Sequence, residues 1–312
     1  MKALTRNEYG GPEVLALTEV AEPRPGRGEV LVEVRAAALN AADLRLLRGT
    51  PRVARLYFGL FRPRFTVPGA DVAGVVTAVG EGVERLEPGD AVFGDVSGTG
   101  FGALAEAVVT KADVLALIPK GLGFEQAAAV PMAGVTALQA LTKKGHLVSG
   151  EHVLVTGASG GVGSFAVQVA KALGARVTAV TSAGQVEAVR ALGADEVIDR
   201  TVKDYRTGSA RYDLVVETAG RGTLNATLAV LAPGGRLVMV GGDDSMTMAA
   251  SLRGKAMFAT PSRTDLETVA AMIAAGTVQP LVGATFPLAR GAEALTQFER
   301  GQTRGKVVIT VR

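Results

Sequence analysis

The run Val153-Leu154-Val155-Thr156-Gly157-Ala158-Ser159-Gly160-Gly161-Val162-Gly163 decides the architecture of this chain. A short β-branched strand passes into a glycine turn, and an amphipathic helix from about Val162 to Leu173 follows. Gly160 and Gly161 let the backbone approach a pyrophosphate, Gly163 lets helix pack closely on strand, and the unpaired N–H groups of the first helical turn face negative charge. Ala158 stands at the first position of the G-x-G-x-x-G pattern, so the glycines alone are weak evidence; strand before and helix after make the segment a dinucleotide site. A plain glycine turn is the alternative.

The same grammar repeats outward from this segment. Arg176–Val180, Glu196–Ile198, Leu214–Val216 and Arg236–Val240 are apolar runs of strand length, with helices expected over Gln185–Leu192 and Thr223–Leu231. Strand and helix alternating at crossover length predict a doubly wound parallel α/β sheet, the Rossmann arrangement. Upstream the pattern differs. Glu29–Arg35, Val72–Val79, Ala91–Phe93 and Leu104–Thr110 read as strands separated by turns such as Glu87-Pro88-Gly89-Asp90, which predicts a mostly antiparallel barrel or sandwich. The expected division is 1–120 for this part, 121–262 for the dinucleotide-binding domain, and 263–312 for the end of that domain and a return to the first, beginning with a helix over Asp265–Ala275.

Composition narrows the chemistry. The 312 residues contain no cysteine and two histidines, His146 and His152, which excludes disulfides, thiolate zinc, iron–sulfur clusters and cysteine nucleophiles, and leaves too little imidazole for a histidine-built metal site. Both histidines read as surface residues around a turn. With 33 basic and 30 acidic residues interspersed, the net charge of +3 implies ordinary solubility. The densest basic cluster, Arg52, Arg55, Arg62 and Arg64, is interrupted by Leu56, Tyr57, Phe58, Leu60 and Phe61, so nucleic acid is not expected as a ligand. No apolar run is long and clean enough to span a membrane, no signal core opens the chain, and a cytoplasmic protein without a membrane partner is the expectation.

The second nucleotide strand ends in Val180-Thr181-Ser182-Ala183-Gly184-Gln185, where an NAD site commonly carries an acid for the ribose hydroxyls. No carboxylate stands there to repel a 2′-phosphate. Thr181, Ser182 and Gln185 offer polar contacts and Arg200 offers charge, which favours NADP(H). Taken singly, Ser182 is equally a helix cap and Arg200 equally a solvated cation.

Several further segments bear on identity: Pro68-Gly69-Ala70-Asp71-Val72-Ala73-Gly74, Leu192-Gly193-Ala194-Asp195, Tyr212-Asp213-Leu214-Val215-Val216-Glu217-Thr218-Ala219-Gly220 and Arg304-Gly305-Lys306-Val307-Val308. With the glycine loop, and in this order, they resemble the medium-chain dehydrogenase/reductase superfamily, more narrowly its zinc-free quinone oxidoreductase branch. The resemblance covers nearly the whole chain. It implies a GroES-like catalytic domain built from both chain ends, a Rossmann domain between, and a homodimer. Where zinc alcohol dehydrogenases carry a cysteine and a Gly-His-Glu motif, this chain has Asn40-Ala41-Ala42-Asp43 and Gly69-Ala70-Asp71, so zinc activation of an alcohol is not expected. Hydride transfer to a quinone or an α,β-unsaturated carbonyl requires only a bound nicotinamide, an apolar slot and a few hydrogen-bond donors. The rivals are an enoyl-thioester reductase and an NADPH-sensing protein with little turnover.

By that resemblance Asn40 and Thr136 are the polar groups near nicotinamide and acceptor, although Asn40 is equally a helix N-cap and Thr136 equally a helix hydroxyl. Tyr57, Leu60 and Phe61 are candidates for the acceptor slot, with Tyr57 a donor to the substrate oxygen; packing is the competing role. Around the cofactor the candidates are Ser159, Gly160, Gly161, Val162 and Gly163 in the loop, then Thr218 and Ala219, then Val240, Gly241 and Gly242 at the carboxyl edge of the sheet. Lys306 is a candidate from the last strand, against the more common role of a solvated lysine. Asp43 and Asp71 read as caps or domain-interface partners.

Overall fold

A computed structural model describes residues 1–241, 244–301 and 303–311, and the chain divides into two compact units. The first comprises residues 1–132, 261–271 and 280–312, so it runs past the residue-120 boundary expected above; the second comprises 133–260 and 272–279.

In the first unit β1 (Lys2–Thr5) and β2 (Ala16–Glu19) form an antiparallel pair. A seven-stranded sheet follows, built from β3 (Glu29–Ala38), β4 (Asp71–Val79), β5 (Ala91–Asp95), β6 (Ala107–Lys111) and β7 (Leu115–Leu117), together with two strands from the chain's end given below. Val30, Val32 and Val34 alternate inward from β3 and meet Val72, Val76, Val92 and Leu115 in one core. The strand expected from Leu104 begins only at Ala107. Leu104 and Ala105 are instead held by a backbone bond from Leu4 and by a single bridge from Ala3.

The second unit is a parallel sheet of β8 (His152–Thr156), β9 (Arg176–Thr181), β10 (Glu196–Asp199), β11 (Tyr212–Glu217) and β12 (Leu231–Met239), in the order β10-β9-β8-β11-β12. The first strand therefore lies centrally and the order reverses between β8 and β11, which is the doubly wound topology with its switch point. Leu154, Val180, Ile198, Val215, Leu237 and Met239 bury its core. The helix after β8 spans Gly161–Ala172, whereas the next is shorter than expected, a turn at Ala183–Gln185 followed by Val186–Arg190. The expected Thr223–Leu231 helix covers only Leu224–Leu228, because Leu231 already pairs with Tyr212 in the sheet. His146 is exposed in a turn. His152, by contrast, starts β8 half-buried, with Nε2 2.8 Å from Thr178 Oγ1 and its ring edge-on to Tyr212.

Near the chain's end the helix Arg263–Ala274 precedes β13 (Val282–Pro287) and β14 (Lys306–Thr310). β14 runs parallel to β13 and antiparallel to β3, with Val308 opposite Ala38, which puts both strands in the first unit's sheet. No helix among the described residues is long and apolar enough to cross a membrane.

Candidate functional site

Two polar centres stand out, one in each unit. In the second unit, the carboxyl ends of β8 and β11 flank the switch point. Gly163 packs the helix start directly on the loop: a Cβ there would lie 2.1 Å from Gly157 O and 2.7 Å from Gly157 C. Gly157 is left-handed at φ +61°, and a Cβ on it would meet Thr218 Oγ1 at 2.6 Å, so loop and neighbouring strand end touch only because this residue has no side chain. Ser159, Gly160, Gly161 and Val162 are partly exposed at the helix start, where a phosphate finds unpaired N–H groups.

Glu217, unassigned from sequence, organises this edge from beneath. Its buried carboxylate accepts from Thr156 Oγ1 at 2.5 Å, Ala219 N at 3.0 Å, Gly220 N at 2.8 Å and Tyr205 Oη at 3.3 Å. Thr218 is held in turn, Oγ1 donating to Thr156 O at 2.7 Å. One carboxylate thus fixes the loop carrying Thr218 and Ala219 against the end of β8. Burial, then the charge of Glu217, pushes the Tyr205 phenol up to about 12, so it stays a proton donor to that carboxylate. The signal in the sequence was an acid closing an otherwise apolar strand, Leu214-Val215-Val216-Glu217.

At the adjacent strand ends, Arg200 N donates to Thr181 O at 2.9 Å, which sets the Arg200 backbone beside Thr181. Thr181 is buried and its Oγ1 has no hydrogen-bond partner, whereas Ser182 and Gln185 are partly exposed and Arg200 is exposed. The N–H of Val240 donates to Glu217 O, bringing Val240 and Gly241 to the same edge; Gly242 lies outside the described residues. A cradle with no space for a Cβ at Gly157 or Gly163 and an orphaned hydroxyl at the second strand fit a dinucleotide. Thr136, also in this unit, is buried in the helix Pro131–Gln139.

The first unit's centre gathers the ends of β3, β4, β5 and β14. Lys306 is buried, not solvated: Nζ donates to Asn40 Oδ1 at 2.5 Å and Asp71 Oδ2 at 3.1 Å. Asn40 Nδ2 donates to Asp71 Oδ2 at 3.0 Å and to Ala38 O at 3.3 Å, while Asp71 Oδ1 accepts from Met132 N at 2.9 Å. Asn40 is also the N-cap of the helix Ala41–Arg48, its N–H received by Asp43 Oδ2 at 2.8 Å. Both amide hydrogens of Asn40 are therefore engaged within the unit. Asp43 Oδ1 is buried without a partner, and burial, with the Asp71 charge adding to it, pushes the Asp43 carboxyl up to about 7. Burial and Asp71 likewise push Asp95 up to about 6.

These two carboxyls hold protons more tightly in the folded chain than in the unfolded one. Their contribution to stability is complete below about pH 4 and is lost as pH rises toward 7. Thermal unfolding of wild type and Asp43→Asn across that range is expected to show wild type losing its advantage with rising pH; parallel curves would contradict the assignment.

Of the acceptor candidates, Tyr57 meets Phe58 and Phe65 with ring centroids 5.4 and 6.0 Å away, and Leu60 and Phe61 are exposed, Phe61 to 88%. Among the described residues no group of three or more His, Cys, Asp or Glu side chains is placed to hold a metal.

Residues 26–120 match the family model for the alcohol dehydrogenase GroES-like domain, and residues 192–309 match that for zinc-binding dehydrogenases. Across 99% of its length the chain is 35% identical to the NADPH-dependent alkenal/one oxidoreductase, chloroplastic, of Arabidopsis thaliana, covering 79% of that protein. It is 34% identical to the quinone oxidoreductase of Sus scrofa, over 99% of this chain and 97% of the other. The chain belongs to the quinone oxidoreductase-like branch of the medium-chain dehydrogenase/reductase superfamily. Among solved members of the superfamily, the quinone oxidoreductase from Coxiella burnetii superposes with a TM-score of 0.88 at 28% identity, covering 100% of this chain and 99% of that one. Both halves of a medium-chain dehydrogenase/reductase, the GroES-like unit and the doubly wound unit, are thus accounted for.

Proposed function

We propose that the chain is a zinc-independent, NADPH-dependent oxidoreductase that transfers hydride to a quinone or an α,β-unsaturated carbonyl. The observation that carries the reading is the cradle at the end of β8, where Gly163 leaves no space for a Cβ and the helix start presents its N–H groups to a phosphate. The relatives named for quinone and alkenal/one reduction support the reaction class. Bound NADPH supplies the hydride equivalent, two electrons with one proton, and the medium supplies the remaining proton.

In this reading the segment Ser159–Gly163 receives the pyrophosphate. Thr181, Ser182, Gln185 and Arg200 receive the adenosine ribose and its 2′-phosphate, and Thr218, Ala219, Val240 and Gly241 border the dinucleotide at the switch point. Thr136 orients the nicotinamide, whereas Tyr57, more than half exposed beside Leu56 and Leu60, is left out of the acceptor contacts. Asn40, its amide hydrogens taken by Asp71 and Ala38, shapes the wall of the acceptor site rather than donating to the substrate. Zinc independence rests on residue types: no cysteine exists, and Asn40 and Ala70 occupy the positions where related zinc enzymes place ligands. Lys306 serves Asn40 and Asp71 in place of the cofactor.

The test follows NADPH and NADH oxidation separately and anaerobically against a benzoquinone, a naphthoquinone, an enone and an enoyl thioester, with chelator present. Chelator-resistant turnover with NADPH on a quinone or enone is expected. Turnover on the thioester alone, or tight NADPH binding with no turnover, rejects the reading. Arg200→Ala is expected to weaken NADPH binding about tenfold, the loss of one exposed charge-assisted contact, and to leave NADH binding unchanged. Equal losses for both cofactors would remove Arg200 from the 2′-phosphate site.

A further inference from the structure

Between Pro51 and Pro68 the chain carries four arginines, Arg52, Arg55, Arg62 and Arg64, and no aspartate or glutamate. The segment is two-faced. Inward, Phe58 and Phe65 pack on Phe101 with centroids 6.3 and 5.5 Å away, beside Leu46, Ala70 and Met132. Tyr9 anchors it, with Oη donating to Gly59 O at 2.6 Å and the Arg55 guanidinium 4.3 Å over its ring. Outward, Val53 (65% exposed), Leu56 (76%), Tyr57 (58%), Leu60 (54%) and Phe61 (88%) stand in solvent within nine residues. Arg52, Arg62 and Arg64 are exposed and form no ion pair among the described residues, and Arg55 donates only to the carbonyls of Gly49 and Arg48.

Folding has satisfied the inner face and left an aromatic and aliphatic tip with cations on both flanks. A contiguous exposed apolar patch marks an interaction surface. Its charge decides the occupant. Two copies meeting through this face would set arginines against arginines with no acid within the segment to compensate, which disfavours self-association. Apolar side chains flanked by uncompensated arginines complement the headgroup region of an anionic bilayer, where cations meet lipid phosphates and the tip enters the acyl boundary.

We propose that the Pro51–Pro68 segment docks this protein peripherally on anionic lipid membranes. This goes past the sequence expectation of no membrane partner, which rested on the lack of a spanning segment; docking needs none. It stands independently of the reaction proposed above, and where that reaction holds, docking brings the chain to apolar acceptors dissolved in the bilayer.

The experiment uses the full chain with vesicles of phosphatidylcholine alone and with about one third phosphatidylglycerol, at low and high salt. Because the chain has no tryptophan, Phe61→Trp places a single indole at the tip. Sedimentation with the anionic vesicles, weakened by salt, and a blue shift of that indole on the same vesicles are expected. Arg62→Ser with Arg64→Ser should lower the partition coefficient about 25-fold, roughly fivefold per arginine, while Arg62→Lys with Arg64→Lys retains binding. A normal thermal transition in both double variants separates lost binding from lost folding. No sedimentation, or equal salt-insensitive binding to neutral vesicles, overturns the proposal. A blue shift that follows protein concentration without lipid, or binding only to an acidic protein, overturns it as well and assigns the face to that contact.

Discussion

Gly163→Ala is expected to weaken NADPH binding at least about 100-fold and to cost about 1–3 kcal/mol of stability. The added Cβ would sit 2.1 Å from Gly157 O, 2.7 Å from Gly157 C and 2.9 Å from Ala158 Cα, all backbone atoms that no rotamer change can clear. The helix Gly161–Ala172 must then lift from the loop, and its first N–H groups leave the position from which they meet a phosphate. Gly160→Ala is the control, because its Cβ finds only Gly157 O, at 3.3 Å. That variant should keep its unfolding temperature and weaken NADPH only by crowding the phosphate. Fluorescence titration with NADPH and a thermal melt separate the two variants, and wild-type affinity in Gly163→Ala would place the cofactor elsewhere.

The loop was legible in the sequence because its determinants are local: a β-branched strand, glycines at fixed spacing and an amphipathic helix within about twenty residues. Strand identity in the parallel sheet was legible for the same reason. What failed to show were contacts whose partners are remote in sequence. Lys306 read as a cofactor candidate or a solvated lysine because nothing near it suggests a buried acid; its partners Asn40 and Asp71 lie 266 and 235 positions away and meet it only once β14 pairs with β3. Glu217 was similarly hidden, since Thr156 stands 61 positions earlier and the loop it holds shows no acceptor requirement until folded. In the stretch Leu56–Phe61, the gathered aromatics suggested one apolar slot. The chain instead reverses after Gly59, turning Phe58 and Phe65 inward and Leu60 and Phe61 outward.

Lys306→Met is expected to destabilise the chain by about 3–5 kcal/mol, the cost of leaving a buried carboxylate without its cation. In the folded chain Lys306 is 3% and Asp71 0% exposed, so water cannot replace the ammonium, and Asn40 Oδ1 loses its donor in the same step. Asp71 retains bonds from Asn40 Nδ2 and Met132 N, which orient it without neutralising it, and the carboxyls of Asp43 and Asp95 stand near as further acids. Adding Asp71→Asn to Lys306→Met removes the stranded charge and should recover most of the loss, since charge and not packing volume is the dominant cost. Denaturant unfolding of the two single variants and the double variant measures this coupling. If the double variant is as unstable as the sum of the singles, the methionine's fit and not the broken ion pair explains the loss. Recovery would instead establish that the lysine on the last strand is held by the Asp71 carboxylate of β4, so that β14 and β4, which share no ladder, are joined across β3 by charge.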